Sequence, residues 1–134
     1  MSVIPKEVFE KASTWLLGVA YAIEYQTKIG ETSRQLAMVR GQLQGREREK
    51  KLSELTAKEL EPLDSTVLAY RSVGRMFIKE DISMLKDELH KKSASASKEI
   101  VAMERAATKL EGDLKDTERT LQDLIKKVMS QGKE

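Results

Sequence analysis

In the second half of the chain, apolar residues recur at alternating steps of three and four. They are Ile100, Met103, Ala107, Leu110, Leu114, Leu121, Leu124 and Val128, with Thr117 the one polar residue in the series. The chain is 40% apolar overall, so chance accounts poorly for that alignment and a heptad seam accounts for it well. Glu99, Glu104, Arg105, Lys109, Glu111, Lys115, Asp116, Glu118 and Arg119 fill the other faces, where charge stays in water. Ile82, Leu85, Leu89, Ser93 and Ala96 carry the stripe backwards. They include one extra four-residue step around Ser93–Ser97, which locally relaxes a supercoil. The pattern predicts a helix over about 80–130, roughly 75 Å long at 1.5 Å per residue. Such a helix cannot bury its own stripe.

The first half supplies a matching element. Val8, Ala12, Trp15, Val19, Ala22, Gln26, Ile29, Ser33, Leu36, Arg40 and Leu43 step by four and three, and Phe9, Leu16, Ile23 and Ala37 widen the stripe. Gln26, Ser33 and Arg40 would be polar seam positions that either fix register or mark a loosely packed stretch. A helix over about 5–50 follows, with Pro5 in its first turn. Two helices of similar length joined in the middle predict an antiparallel pair.

Between them, Thr56-Ala57-Lys58-Glu59 reads as a capping box that opens a short helix over 56–63. A β-hairpin is expected over 66–79: Thr66 to Val73 and Met76 to Lys79 flank Gly74-Arg75, the Gly-X pair of a type II′ turn. That register sets Val73 opposite Met76, Ser72 opposite Phe77, Arg71 opposite Ile78 and Tyr70 opposite Lys79. An isolated two-stranded hairpin is marginal in water, and its edges carry unpaired backbone groups. Because the chain offers no further strand, hairpins from several chains must combine, and the protein is expected to be an obligate assembly subunit.

The 134 residues fit one domain, 1–134. A 34% charged, 4% aromatic composition suits long amphipathic helices better than a compact enzyme. The absence of cysteine excludes disulfides, thiolate chemistry and Cys-ligated zinc, and is compatible with the cytosol. A formal charge of +2 lacks the one-sided basic field of a nucleic-acid binder. Trp15 to Ile23 imitates a signal-peptide core but is shorter than the roughly 20 residues of a membrane span, and Glu7 and Glu10 offset Lys6 and Lys11 before it. His90, the only histidine, sits among Asp87, Glu88, Lys91 and Lys92 as a solvated residue. Gly41 and Gly45 spell a GxxxG that carries weight only in an apolar membrane segment, and no phosphate-binding glycine loop occurs. No catalytic residue, metal site or cofactor is expected.

The order of long helix, capped short helix, single hairpin and long helix resembles the β-class subunits of the chaperone prefoldin. Leu55, Thr56, Glu59, Tyr70 and Val73-Gly74-Arg75-Met76-Phe77-Ile78 are most similar to the subunit 1 branch of that family, over about Leu52 to Lys92. The resemblance implies a mainly α fold, a long antiparallel coiled coil whose hairpin joins an intermolecular β-barrel. It implies a heterohexamer with two α-class and further β-class subunits, assembled through Val67, Tyr70, Val73, Gly74, Arg75, Met76, Phe77 and Ile78. It also implies ATP-independent capture of unfolded or nascent chains, actin and tubulin among them, and delivery to the cytosolic chaperonin. Client contact is expected at Ile4, Val8, Phe9, Trp15, Leu121, Ile125, Val128 and Met129, near the two chain ends. Seam packing is the competing role for Leu121 and Val128. A structural coiled-coil tether is the alternative function, although it gives no reason for the hairpin; an enzyme has no supporting constellation.

Overall fold

A computed structural model of the chain describes residues 3–132, so the outermost two residues at each end of the expected 1–134 span lie outside the described residues. Four elements follow in order: α1 (Lys6–Leu60), β1 (Ala69–Val73), β2 (Met76–Glu80) and α2 (Ile82–Gly132). The fold is mainly helical with one two-stranded antiparallel sheet. Two compact units divide it, Val39–Ala106 and Met1–Met38 with Ala107–Glu134, and both helices contribute to each.

In the Val39–Ala106 unit, Arg46 Nε lies 2.7 Å from Glu99 Oε2. The Ser93 hydroxyl donates to Glu54 Oε1 at 3.2 Å. Lys86 Nζ donates to the Glu61 and Leu63 carbonyls at 3.3 and 3.2 Å. Partners on α2 therefore fall in number as those on α1 rise, which is an antiparallel pairing. The buried side chains are small or slender: Ser53, Ala57, Ile82, Ala96 and Ile100. The seam is narrow here, and Arg46 and Lys50 stand half-buried at α1 positions that a thicker core would give to leucine.

The predicted break near residue 50 is absent. Thr56 does not cap a new helix; its hydroxyl donates to the Leu52 carbonyl at 2.8 Å, the back-bonding of a threonine in a helix interior. No separate helix over 56–63 forms, and α1 runs on to Leu60. Pro62 follows, where the missing N–H and the ring prevent continuation, while the Lys86 ammonium satisfies carbonyls at this end. The hairpin has the predicted register throughout, from Tyr70 opposite Lys79 to Val73 opposite Met76. Its strands begin and end later than 66–79, since Ala69 pairs with Glu80. Gly74 has φ of +62°. No other described residue has positive φ, so Arg75 does not, and the turn is of the II′ and not the I′ kind. Asp81 then caps α2: its carboxylate accepts from the Ser83 amide at 3.3 Å and its carbonyl from the Leu85 amide at 3.1 Å.

In the other unit, α2 buries the predicted stripe. Ala107 and Thr117 are buried, and Leu110, Leu114, Leu121, Leu124 and Val128 are half-buried. The Thr117 hydroxyl donates to the Asp113 carbonyl at 2.7 Å, which satisfies the one polar group of the seam. On α1 half of the expected seam holds: Ala22, Ile29, Leu36 and Leu43 are buried or half-buried as expected, while the alternate positions fall one residue earlier, at Gly18, Tyr25, Thr32 and Val39. Within this unit Gly18, Ala22, Tyr25, Ile29, Thr32 and Leu36 carry it, with steps of four and three, and Val19 is half-buried beside them; of the other expected positions Val8, Ala12, Trp15, Gln26 and Ser33 are exposed, as is Arg40 in the neighbouring unit. Those polar residues do not set the register. Gly18 explains the choice of face: a Cβ placed on it would lie 2.6 Å from Val128 Cγ2, so the α1 backbone approaches α2 as only glycine permits. From Val3 to Leu17 every residue is exposed.

Gly18→Val should therefore wedge this unit open. The β-branched residue meets an equally stiff Val128, and overpacking of this kind costs about 1–3 kcal/mol. Hydrogen exchange should quicken in 18–38 and 107–128 while 39–106 keeps its protection, and Val128→Ala should restore part of the loss to Gly18→Ala. Unchanged exchange in the Gly18→Val chain would show that the close approach does not matter.

Candidate binding surfaces

The hairpin is the first surface. Strand alternation places Ala69, Arg71, Val73, Met76, Ile78 and Glu80 on one face and Tyr70, Ser72, Phe77 and Lys79 on the other. Both faces carry exposed apolar side chains: Val73, Met76 and Ile78 on the first, Tyr70 and Phe77 on the second, with Phe77 73% exposed. The sheet has two strands, so the outward backbone groups of β1 and β2 have no strand partner among the described residues. Seven of the eight residues expected in assembly lie on this element. Val67 does not: its amide donates to the Asp64 carbonyl at 3.0 Å in a turn ahead of β1. It is nonetheless exposed, as are Leu63 and Leu68 beside it.

Arg71 is the polar centre of this unit. Its Nε lies 2.9 Å from Glu80 Oε1, on the same hairpin face, and its Nη2 donates to Glu88 Oε2 on the second turn of α2. The hydrogen bond from Arg71 holds the Glu88 carboxyl below the usual carboxylate range, with the charges of Arg71 and Lys92 acting in the same sense against desolvation. Sequence reasoning missed this link because Arg71 and Glu88 are 17 residues apart and become neighbours only once the hairpin has formed.

The second surface belongs to the other unit. Ile4, Val8, Phe9, Trp15, Ile125 and Met129 are exposed there, Phe9 at 63% and Met129 at 64%. Leu121 and Val128 are half-buried in the seam instead. Val8 and Trp15, expected in the seam, keep its phase but lie in the stretch from Val3 to Leu17 that is exposed throughout. Leu16, Leu17, Tyr21 and Ile23 add exposed apolar area that the eight named residues do not include. A usable signal was present: Trp15 to Ile23 is apolar on every side of a helix that has one helical neighbour, and such a segment must leave part of itself uncovered. Tyr21, Tyr25, Thr120, Asp123, Leu124 and Lys127 line a shallow groove in the same unit.

Among the described residues no cluster of His, Asp and Glu could hold a metal ion, and no helix is long and apolar enough to cross a membrane. His90 is exposed on α2, beside a small cleft lined by Ser53, Ala57 and Leu89.

Comparison with known proteins agrees with this arrangement. The family described as prefoldin subunit (Prefoldin_2) matches residues 24–128, a wider span than the 52–92 that carried the resemblance. A probable prefoldin subunit 1 of Schizosaccharomyces pombe is 32% identical over 103 residues, which cover 77% of this chain and 92% of that protein. One from Dictyostelium discoideum is 29% identical over 104 residues, covering 78% and 90%. Human prefoldin subunit 1 is 28% identical over 102 residues, covering 76% and 84%. The crystal structure of the prefoldin beta subunit from Thermococcus strain KS-1 superposes with a TM-score of 0.69 at 22% identity, over 92% of this chain and 96% of that one. A paired-helix fold with a single hairpin, matched by that structure and by the family over 24–128, makes this chain a member of the prefoldin family of chaperone subunits.

Proposed function

We propose that the chain is a β-class subunit of a cytosolic heterohexamer that holds unfolded or nascent polypeptides without ATP and passes them to the chaperonin. The hairpin enters a sheet shared with α-class and other β-class subunits. The apolar surface of the unit containing both chain termini holds the client. Family likeness extends the clients to actin and tubulin. The observation that carries this reading is the excess of exposed apolar side chains over what a two-stranded seam can cover, with Phe9, Trp15, Ile125 and Met129 foremost. Burying one such side chain against a client contributes about 1.5–3 kcal/mol at full burial, and ordering costs offset much of that. One subunit therefore holds weakly. Several acting together hold firmly through effective concentration and still release. Methionine adds an adaptable contact suited to varied clients.

Two experiments test the parts separately. Gly74→Val should leave helicity intact by circular dichroism yet keep the chain out of the hexamer in native mass spectrometry, because a β-branched residue resists φ near +60°. Normal incorporation would sink the hairpin as the assembly element. For the client surface, hexamers with residues 1–9 and 125–134 removed, or with Phe9→Ser and Met129→Ser, should form normally. They should suppress aggregation of an unfolded client less well, and ATP should change nothing in either hexamer. Full protection by both variants would move the holding surface elsewhere.

A further inference from the structure

We propose that Arg71 is the positioning residue that sets the tilt of the hairpin on α2, and so governs how readily the hairpin is accepted by neighbouring subunits. The second half of this inference rests on the hairpin being the assembly element. The geometry argues for it as follows. The hairpin joins α2 through Asp81 alone, which lies between Glu80 and Ile82. A one-residue link fixes where the sheet is attached but leaves it free to swing. The apolar residues that could anchor it against a helix are exposed: Val73, Met76 and Ile78 on the Arg71 face, and Met84 on the first turn of α2. What spans the gap is the guanidinium. One edge, Nε, reaches Glu80 across the hairpin at 2.9 Å, and Nη2 reaches Glu88 on α2. A planar fork with fixed donor directions, held to carboxylates on two elements, defines an angle as well as a distance, which a lysine ammonium would not.

The surroundings fit a latch and not a buried structural pair. Arg71 and Glu88 retain 38% and 39% of their side-chain exposure, so the link is accessible to salt and acid. Lys79, Met84, Asp87 and Lys91 line an open groove beside it, with Glu80, Asp81 and Glu88 completing the acidic side. Among the charged groups around Glu88, Arg71 and Lys92 favour its ionised form, while Glu80, Asp81 and Asp87 add negative charge to the groove. Glu88 is lowered in the folded chain, so its contribution is present above the unfolded carboxyl value of about 4.3 and fades as pH falls through the lower folded value. The latch is closed at neutral pH.

The test uses the full chain with spin labels at Ser72 and Lys98, whose separation reports the tilt, together with incorporation into hexamer by its partner subunits. Arg71→Ala and Glu88→Ala should each broaden the label-to-label distance distribution and slow incorporation about threefold, the scale on which exposed charges alter association. Their combination should add little to either, since both remove one link. Glu80→Gln, which keeps an oxygen that accepts from Arg71 Nε and leaves the bond to Glu88 in place, should leave the distribution narrow. Raising NaCl to about 1 M, where the screening length falls to about 3 Å, should broaden the wild-type distribution and leave that of Arg71→Ala unchanged. A simple loss of folding would not give that salt dependence. An unchanged distribution in Arg71→Ala overturns the latch whatever happens to assembly. A broadened distribution with wild-type incorporation overturns the coupling of tilt to assembly; if Gly74→Val also incorporates normally, the hairpin reading itself has failed.

Discussion

Everything in this chain depends on the stripe of α2 that begins at the fully buried Ile82 and recurs to Val128. A helix with one apolar stripe in water has one means of removing it, which is to lie against a second stripe. The partner is α1, and the fit is tight because the facing positions are small. Gly18 meets Val128, and Ser53, Ala57 and Ala96 are buried where larger residues would hold the helices apart. A seam this narrow covers few atoms per turn. Close approaches such as Gly18 against Val128 favour one register, while the Arg46–Glu99 pair, more than 40% exposed on both sides, adds little to it. The narrow seam also decides what remains outside. Apolar residues beyond a single stripe on either helix have nowhere to go within the chain.

That competition between stripes explains which parts of the fold were legible in the sequence. On α2 the apolar residues form one phase, and every predicted seam position from Ile82 to Val128 is buried or half-buried. On α1 Ala22, Ile29, Leu36 and Leu43 were read correctly, but the alternate positions were one residue off, because Trp15 to Ile23 is apolar on all sides. Val8 and Trp15 keep the phase of the observed seam, yet lie in the stretch from Val3 to Leu17 that is exposed throughout. Volume was the misleading cue in choosing Val19 over its neighbour; the seam centres on Gly18 because the backbone can come close there. Thr56 misled in a similar way. A Thr followed three residues on by Glu is a cap only if the chain before it is not helical, and here Leu52 is already in α1 to accept the hydroxyl. The register of the hairpin was readable to the residue because a Gly-X pair fixes it locally, although the strand ends were not. Arg71 with Glu88 and the Asp81 cap were not read, since each needs a three-dimensional neighbour that spacing alone does not reveal.

Both units end up exposing apolar side chains, yet the two surfaces differ in what they offer a partner. The hairpin presents Tyr70, Val73, Phe77 and Ile78 on a backbone whose edges still have hydrogen bonds to give. A partner that supplies another strand gains directional bonds and fixed register together, which favours a permanent and specific neighbour. The surface around Phe9, Trp15, Ile125 and Met129 is carried on helices whose backbone bonds are already satisfied internally. A partner there gains side-chain burial alone, with no register and little directionality, so contacts can form with many sequences and break again. Assembly through the first surface and client holding at the second, as proposed here, follow from that contrast in backbone availability. The amount of exposed apolar area would not by itself distinguish them. On the proposed division, open strands carry the permanent contact and closed helices the reversible one, and that difference in backbone availability keeps the two kinds of stickiness from interchanging.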